Sequence, residues 1–136
     1  MDTMVELNQF ADDHQIGVYY QHIPACKCIS FPDNVILDTD YIYHTQEEEV
    51  ACAFGIGSCY YEAFYDKDAP EVTKRQAHHK TKKFAYEMVV PREAVEDAVA
   101  HGCRESWEIA EYLGKDPKIV DEAVFYYRNG YMKSSA

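Results

Sequence analysis

Thr45–Tyr61, TQEEEVACAFGIGSCYY, is the stretch whose reading decides the fold. Thr45 followed three residues later by Glu48 is a capping-box pattern, in which the hydroxyl accepts from a backbone N–H of the first turn while the carboxylate reaches back. A helix is expected to start there and run to about Tyr61. From Val50 to Ile56 it is apolar on nearly every side, which suits an element buried between a sheet and other helices. Gly55 and Gly57 cost roughly 1 kcal/mol each relative to alanine inside a helix, so they predict either close packing or a kink.

The residues ahead of this helix supply the sheet. Asp2 to His14 reads as a first helix, with Met4, Leu7, Phe10 and Ala11 on one apolar face and Gly17 as its stop signal. The period then shortens: Val18 to Ile23, Cys28 to Phe31 and Asn34 to Leu37 are short, rich in β-branched and aromatic residues, and punctuated by Pro24 and by Pro32-Asp33-Asn34. They read as three strands. The C-terminal half is helical in its spacing. Beyond Pro70, Ala77, Thr81, Phe84, Ala85 and Met88 mark the apolar stripe of a third helix that Pro91 ends, and Arg92 to His101, Ser106 to Leu113 and Pro117 to Tyr127 read as three short helices separated by Gly102 and Gly114. The expected class is α+β, a small three-stranded sheet packed against a helical bundle. At 136 residues with 47% hydrophobic composition, one domain over residues 1–136 is expected, with helix, strands and central helix in 1–70 and a helical part in 71–136.

Thirteen Lys and Arg stand against 24 Asp and Glu, a formal charge of −11, which opposes direct binding to nucleic-acid phosphates and favours a basic partner or simple solubility. Five cysteines at irregular spacing, with no secretory signal ahead of them, argue against a disulfide framework and for a reducing cytoplasm. The apolar run around Ala51 to Tyr61 is too short to cross a bilayer, which takes about 20 apolar residues. No membrane partner is expected.

With these elements placed, the chain resembles the ImmA/IrrE family of small zinc metallopeptidases, in particular the short forms encoded by phages and mobile elements of bacteria. The residues that carry the resemblance are FADDHQIGVYYQHIP (Phe10–Pro24) with NVILD (Asn34–Asp38), EEEVACAFGIGSCYYEAFYD (Glu47–Asp66), KFAYEMVVPREAVEDAV (Lys83–Val99), HGCRESWEIAEYLG (His101–Gly114) and VFYYRNG (Val124–Gly130). They span roughly residues 5 to 130. The resemblance implies a zincin-like metallopeptidase core, in which an HExxH helix holds zinc through two histidines four residues apart and uses the intervening glutamate as general base.

This chain departs from that pattern. Alignment on Cys59 and the downstream Phe64–Asp66 puts Phe54 and Ser58 at the histidine positions, Gly55 at the glutamate, and the third ligand on or beside His78. A two-residue shift instead puts Cys52 and Ile56 at the ligand positions and Ala53 at the base. Under either register both histidines and the base are missing, so peptide hydrolysis by the family's mechanism is expected to be absent, and with it any cofactor. The implied function is a non-catalytic protein-binding module or inhibitor whose partner is a repressor, or a host defence effector such as a CRISPR nuclease, blocked by carboxylates placed where phosphates would sit.

Other signals compete with this reading. Cys52 and Cys59 share a helical face and, with His78 or His79, suggest zinc at a non-family site in an altered metallopeptidase acting on a repressor; against it, two helical turns separate the sulfurs by about 10 Å, and small buried hydrophobes explain both. Cys26 and Cys28, flanking Lys27, suggest a redox or metal pair, but residues two apart in an extended segment merely share a sheet face, which favours ordinary strand or turn cysteines. Ser58 near His78 suggests a nucleophile and base, with no oxyanion hole in view. The third helix carries Lys74, Arg75, Lys80, Lys82 and Lys83 with no acid among them, leaving −16 for the rest of the chain. That patch reads either as a solvated face or as a docking site for an acidic partner, including a second copy in a homodimer. Tyr60 and Tyr61, among twelve tyrosines, are further candidates for a binding surface. Ser106 to Tyr127 has the cadence of a helix-turn-helix, but six acids against two lysines from Glu105 to Val124 favour core packing over DNA.

Overall fold

The described residues of the computed structural model are 3–23, 27–39, 45–62 and 68–132, the Thr45 side chain excepted. The Thr45 hydroxyl cap, Cys26 of the Cys26-Lys27-Cys28 run and the Phe64–Asp66 pattern fall outside them. Among the described residues nine elements succeed one another: α1 (Thr3–Asp13), β1 (Gly17–Gln21), β2 (Cys28–Ser30), β3 (Asn34–Asp38), α2 (Thr45–Tyr61), α3 (Glu71–Val89), α4 (Arg92–Ala100), α5 (Ser106–Leu113) and α6 (Pro117–Asn129). The α+β expectation holds at this level, a small three-stranded sheet with six helices among the described residues.

Helix α1 buries Leu7 and Ala11, but Gly17 is not its stop. The chain turns two residues earlier, at Gln15, which takes the left-handed conformation with φ 58°. The Gln15 N–H donates to the Asp12 carbonyl at 3.2 Å and the Ile16 N–H to the Ala11 carbonyl at 2.8 Å, the paired bonds of a Schellman ending. This turn lays buried Ile16 back over Ala11, and apolar contact across the cap places the reversal ahead of the glycine. Gly17 instead opens β1.

The sheet has the order β1-β3-β2, with β1 parallel and β2 antiparallel to β3. Val35 and Leu37 alternate onto the buried face of the central strand, as the two-residue period of a strand requires. Helix α2 covers this face. Cys52, Ala53, Ile56 and Cys59 are all fully buried, and they belong to one core with Leu7, Val35 and Leu37 from the N-terminal half and Phe84, Ile109, Val120 and Val124 from the C-terminal helices.

Of the two explanations for the glycines in α2, the structure supports close packing. A Cβ on Gly55 would meet Cys28 Sγ at 2.6 Å and Val35 Cγ1 at 2.7 Å, while one on Gly57 would meet Phe84 Cδ1 at 3.0 Å. Gly55 thus lets the sheet approach and Gly57 lets α3 approach; Ser30 Oγ donates to the Gly55 carbonyl at 3.0 Å across the first of these contacts.

Helix α3 buries the predicted stripe at Ala77, Thr81, Phe84 and Ala85, and also Tyr86, which points away from it. The reason is α6, whose Tyr126 ring lies 6.0 Å from the Tyr86 ring. Helix α5 has the predicted bounds, whereas α6 runs two residues beyond Tyr127 to Asn129 before Gly130 caps it in the left-handed region. At its start the Asp116 carboxylate accepts from the backbone N–H groups of Lys118 and Ile119, as an N-cap does. The α5–α6 pair packs inward through Ile109, Ala110, Ile119, Val120, Ala123 and Val124. Gly114 between them, at φ 67°, makes the tight turn that presents Lys115 to α2.

Candidate functional site

The positions that matter for catalysis lie on α2. Phe54 is half-buried and, with Val50 and Ala51, forms the helix wall of a cleft of about 540 Å³ whose opposite side carries Cys28 and Ser30 of β2 and Lys118 of α6. Gly55 is buried against β2 and β3. Ser58 is half-buried one turn further on, and its carbonyl accepts the Glu62 N–H at 2.8 Å. In the alternative register, Cys52, Ala53 and Ile56 are all enclosed in the core with no exposed surface.

His78 projects from α3 with 55% of its side chain exposed, and its Nδ1 lies 3.4 Å from Glu62 Oε1. The other oxygen of Glu62 accepts from Thr81 Oγ1 at 2.9 Å. Glu62 did not figure among the sequence candidates. The usable signal was its place one turn after Ser58, at the end of the helix that α3 packs against. A carboxylate beside Nδ1 is a neighbour also found at metal-binding and general-base histidines.

His79 points elsewhere. Neighbouring helical residues diverge by about 100°, and its ring instead meets Tyr126 of α6 edge-on at 6.4 Å. Cys59 Sγ donates to the Pro32 carbonyl at 3.4 Å, in the β2–β3 turn. Burial pushes the Cys52 thiol up to about 12, with Cys28 and Glu48 adding to the effect, and raises Cys59 as well, with Asp33 as the second cause. Cys52, Cys59, His78 and His79 are therefore not brought to one point. Among the described residues, no three of His, Cys, Asp and Glu are grouped to hold a metal ion.

The basic residues of α3 take two positions. Lys74 and Lys82 are half-buried beside the apolar stripe, while Arg75, Lys80 and Lys83 are exposed on the outer face. No ion pair among the described residues involves any of the five. Tyr60 and Tyr61 belong to a half-buried aromatic cluster at the edge of the core: Tyr60 packs edge-on against Phe10 at 5.4 Å, His14 at 4.8 Å and Tyr61 at 4.8 Å. Tyr61 reaches Phe84 at 6.2 Å. The larger exposed aromatic surfaces lie elsewhere, at Tyr19, Trp107 and Tyr131.

No protein-family model, no curated protein and no solved structure matches the chain.

Proposed function

We propose that this chain is a zincin-like scaffold of the ImmA/IrrE type that has lost its catalyst and acts by binding another protein. Gly55 is the observation that carries this reading. At the position where the resembled chemistry requires a glutamate, a Cβ alone would collide with Cys28 and Val35 at 2.6 and 2.7 Å. The backbone of α2 is pressed onto the sheet, and no side chain fits there to take a proton from water. Phe54, at a ligand position, has no donor atom for zinc and contributes an apolar wall to the cleft instead. The partner proposed is a repressor or a host defence effector, in keeping with a chain of charge −11 that opposes a basic surface more readily than a phosphate backbone.

The Glu62–His78 pair favours a second reading, an altered metal-dependent hydrolase, because it orients an exposed imidazole. Elemental analysis separates the two. Untagged protein purified without added metal or chelator is expected to carry no stoichiometric zinc and, with zinc supplied, to hydrolyse no peptide substrate. About one zinc per chain, lost in His78→Ala, would overturn the non-catalytic reading. Its binding half is tested by retention of a bacterial host protein at moderate salt, followed by reconstitution with that protein purified; failure to reconstitute a complex rejects it.

A further inference from the structure

Helix α3 has one face that α6 covers only in part. Tyr126 meets Tyr86 and, two turns earlier, His79; toward the N-terminus from His79, Val72, Arg75 and Gln76 on this face are exposed. A groove of about 700 Å³ runs along it, formed on the α3 side by Val72, Arg75, Gln76, His79 and Lys80. These residues stand at three- and four-residue steps and so form one stripe, which Lys83 continues by a further three. Val72 is 57% exposed in it, a large apolar side chain left in water.

The charges on this stripe are unbalanced. Arg75, Lys80 and Lys83 lie within about 12 Å along the helix axis by helical rise, and none pairs with a carboxylate among the described residues, although the chain carries 24 acids. Like charges three or four apart on a helix repel. The fold concentrates cations on one face, leaves them unpaired, and sets an apolar residue and the Tyr126 edge beside them. Such a surface is complementary to a segment that brings carboxylates together with an apolar side chain.

We infer that the outer face of α3, from Val72 to Lys83, is a docking site for an acidic segment of a partner protein. The inference rests on the protein-binding reading above and adds where the partner is held and by what chemistry. The remaining −16 of the chain repels any long polyanion, so a short acidic segment fits the local patch better than an extended nucleic acid.

A short oligo-L-glutamate peptide is the probe, titrated into the intact chain at low ionic strength beside a single-stranded oligonucleotide, with sedimentation of the protein alone as the third arm. Saturable binding of this peptide that weakens about tenfold or more in R75Q/K80Q, and is retained in R104Q/R128Q, is the expected result. All four residues are exposed, so both variants are expected to melt with the wild type. Absence of saturable binding, equal loss in the two variants, or tighter binding of the oligonucleotide overturns the inference. A concentration-dependent dimer that R75Q/K80Q dissolves assigns the face to a second copy and overturns it too. Because the probe is not the physiological partner, these failures leave the metal and reconstitution tests of the function standing separately.

Discussion

The ammonium of Lys115 lies 2.9 Å from one carboxylate oxygen of Glu49 and 3.1 Å from the other, and 2.8 Å from the hydroxyl of Thr3. The side chains of Lys115 and Glu49 are 18% and 7% exposed, so this is a largely buried ion pair that ties the α5–α6 turn to the first turns of α2 and α1. A buried pair is costly to desolvate, and what it secures depends on both members being present.

Lys115→Ala is therefore expected to destabilise the fold by about 3 kcal/mol, because the Glu49 charge is left without its partner. The double variant Glu49→Leu with Lys115→Met is expected to recover most of that loss. Urea denaturation of the wild type, both single variants and the double variant measures the coupling. A double variant as unstable as the sum of the singles would show that the pair is not a unit.

Gly55→Ala tests the contact on which the functional reading rests. Alanine favours a helix by roughly 1 kcal/mol over glycine, yet the new Cβ must displace Cys28 and Val35. Overpacking of this kind costs about 1–3 kcal/mol or more, so a net loss of about 1–2 kcal/mol is expected. Gly57→Ala, with its nearest contact at 3.0 Å on a Phe84 ring that can yield, is expected to lose less. Thermal melts of the two variants rank them, and a Gly55→Ala protein as stable as the wild type would mean that the sheet and α2 are not in close contact there.

The Cys52 thiol, pushed by burial from 9.0 up to about 12, links stability to alkaline pH. Its folded pKa is raised, so the folded chain keeps a proton that the unfolded chain releases once the pH passes the unfolded value. Its stabilising contribution is complete below about pH 9 and is lost progressively as pH rises toward 12, at about 1.4 kcal/mol per pH unit. Tyr86, raised by burial and then by Glu122 to about 12, steepens the fall above about pH 10. Urea midpoints between about pH 8 and pH 11 are expected to drop less in Cys52→Ala than in the wild type. An identical slope in the two proteins would remove Cys52 from the account.

Most of the local structure was legible because it is written in short-range periods. The 3.6-residue spacing of Leu7 with Ala11 and of Ala77 with Thr81 and Phe84, the alternation around Val35 and Leu37, and the turn residue Gly114 lie within one or two turns of their neighbours, where backbone geometry alone decides which side chains share a face. The apolar circumference of α2 likewise required burial on all sides, and it received it from the sheet, α1 and α3.

What only the tertiary structure decided are contacts between residues far apart in the chain. Lys115 and Glu49 are 66 residues apart, Thr81 and Glu62 are 19 apart, and no local period links either pair. Gly17 looked like the end of α1, but the need to bury Ile16 over Ala11 put a left-handed residue at Gln15. Tyr86 sits off the apolar stripe of α3 and is buried because α6 arrives from beyond it. The sequence by itself determined the helices, the strands and the absence of histidines from α2. The fold determined which glycine lies against the sheet, which carboxylate meets His78, and which cations of α3 are left to face outward, because each of these depends on the path the chain takes between its elements.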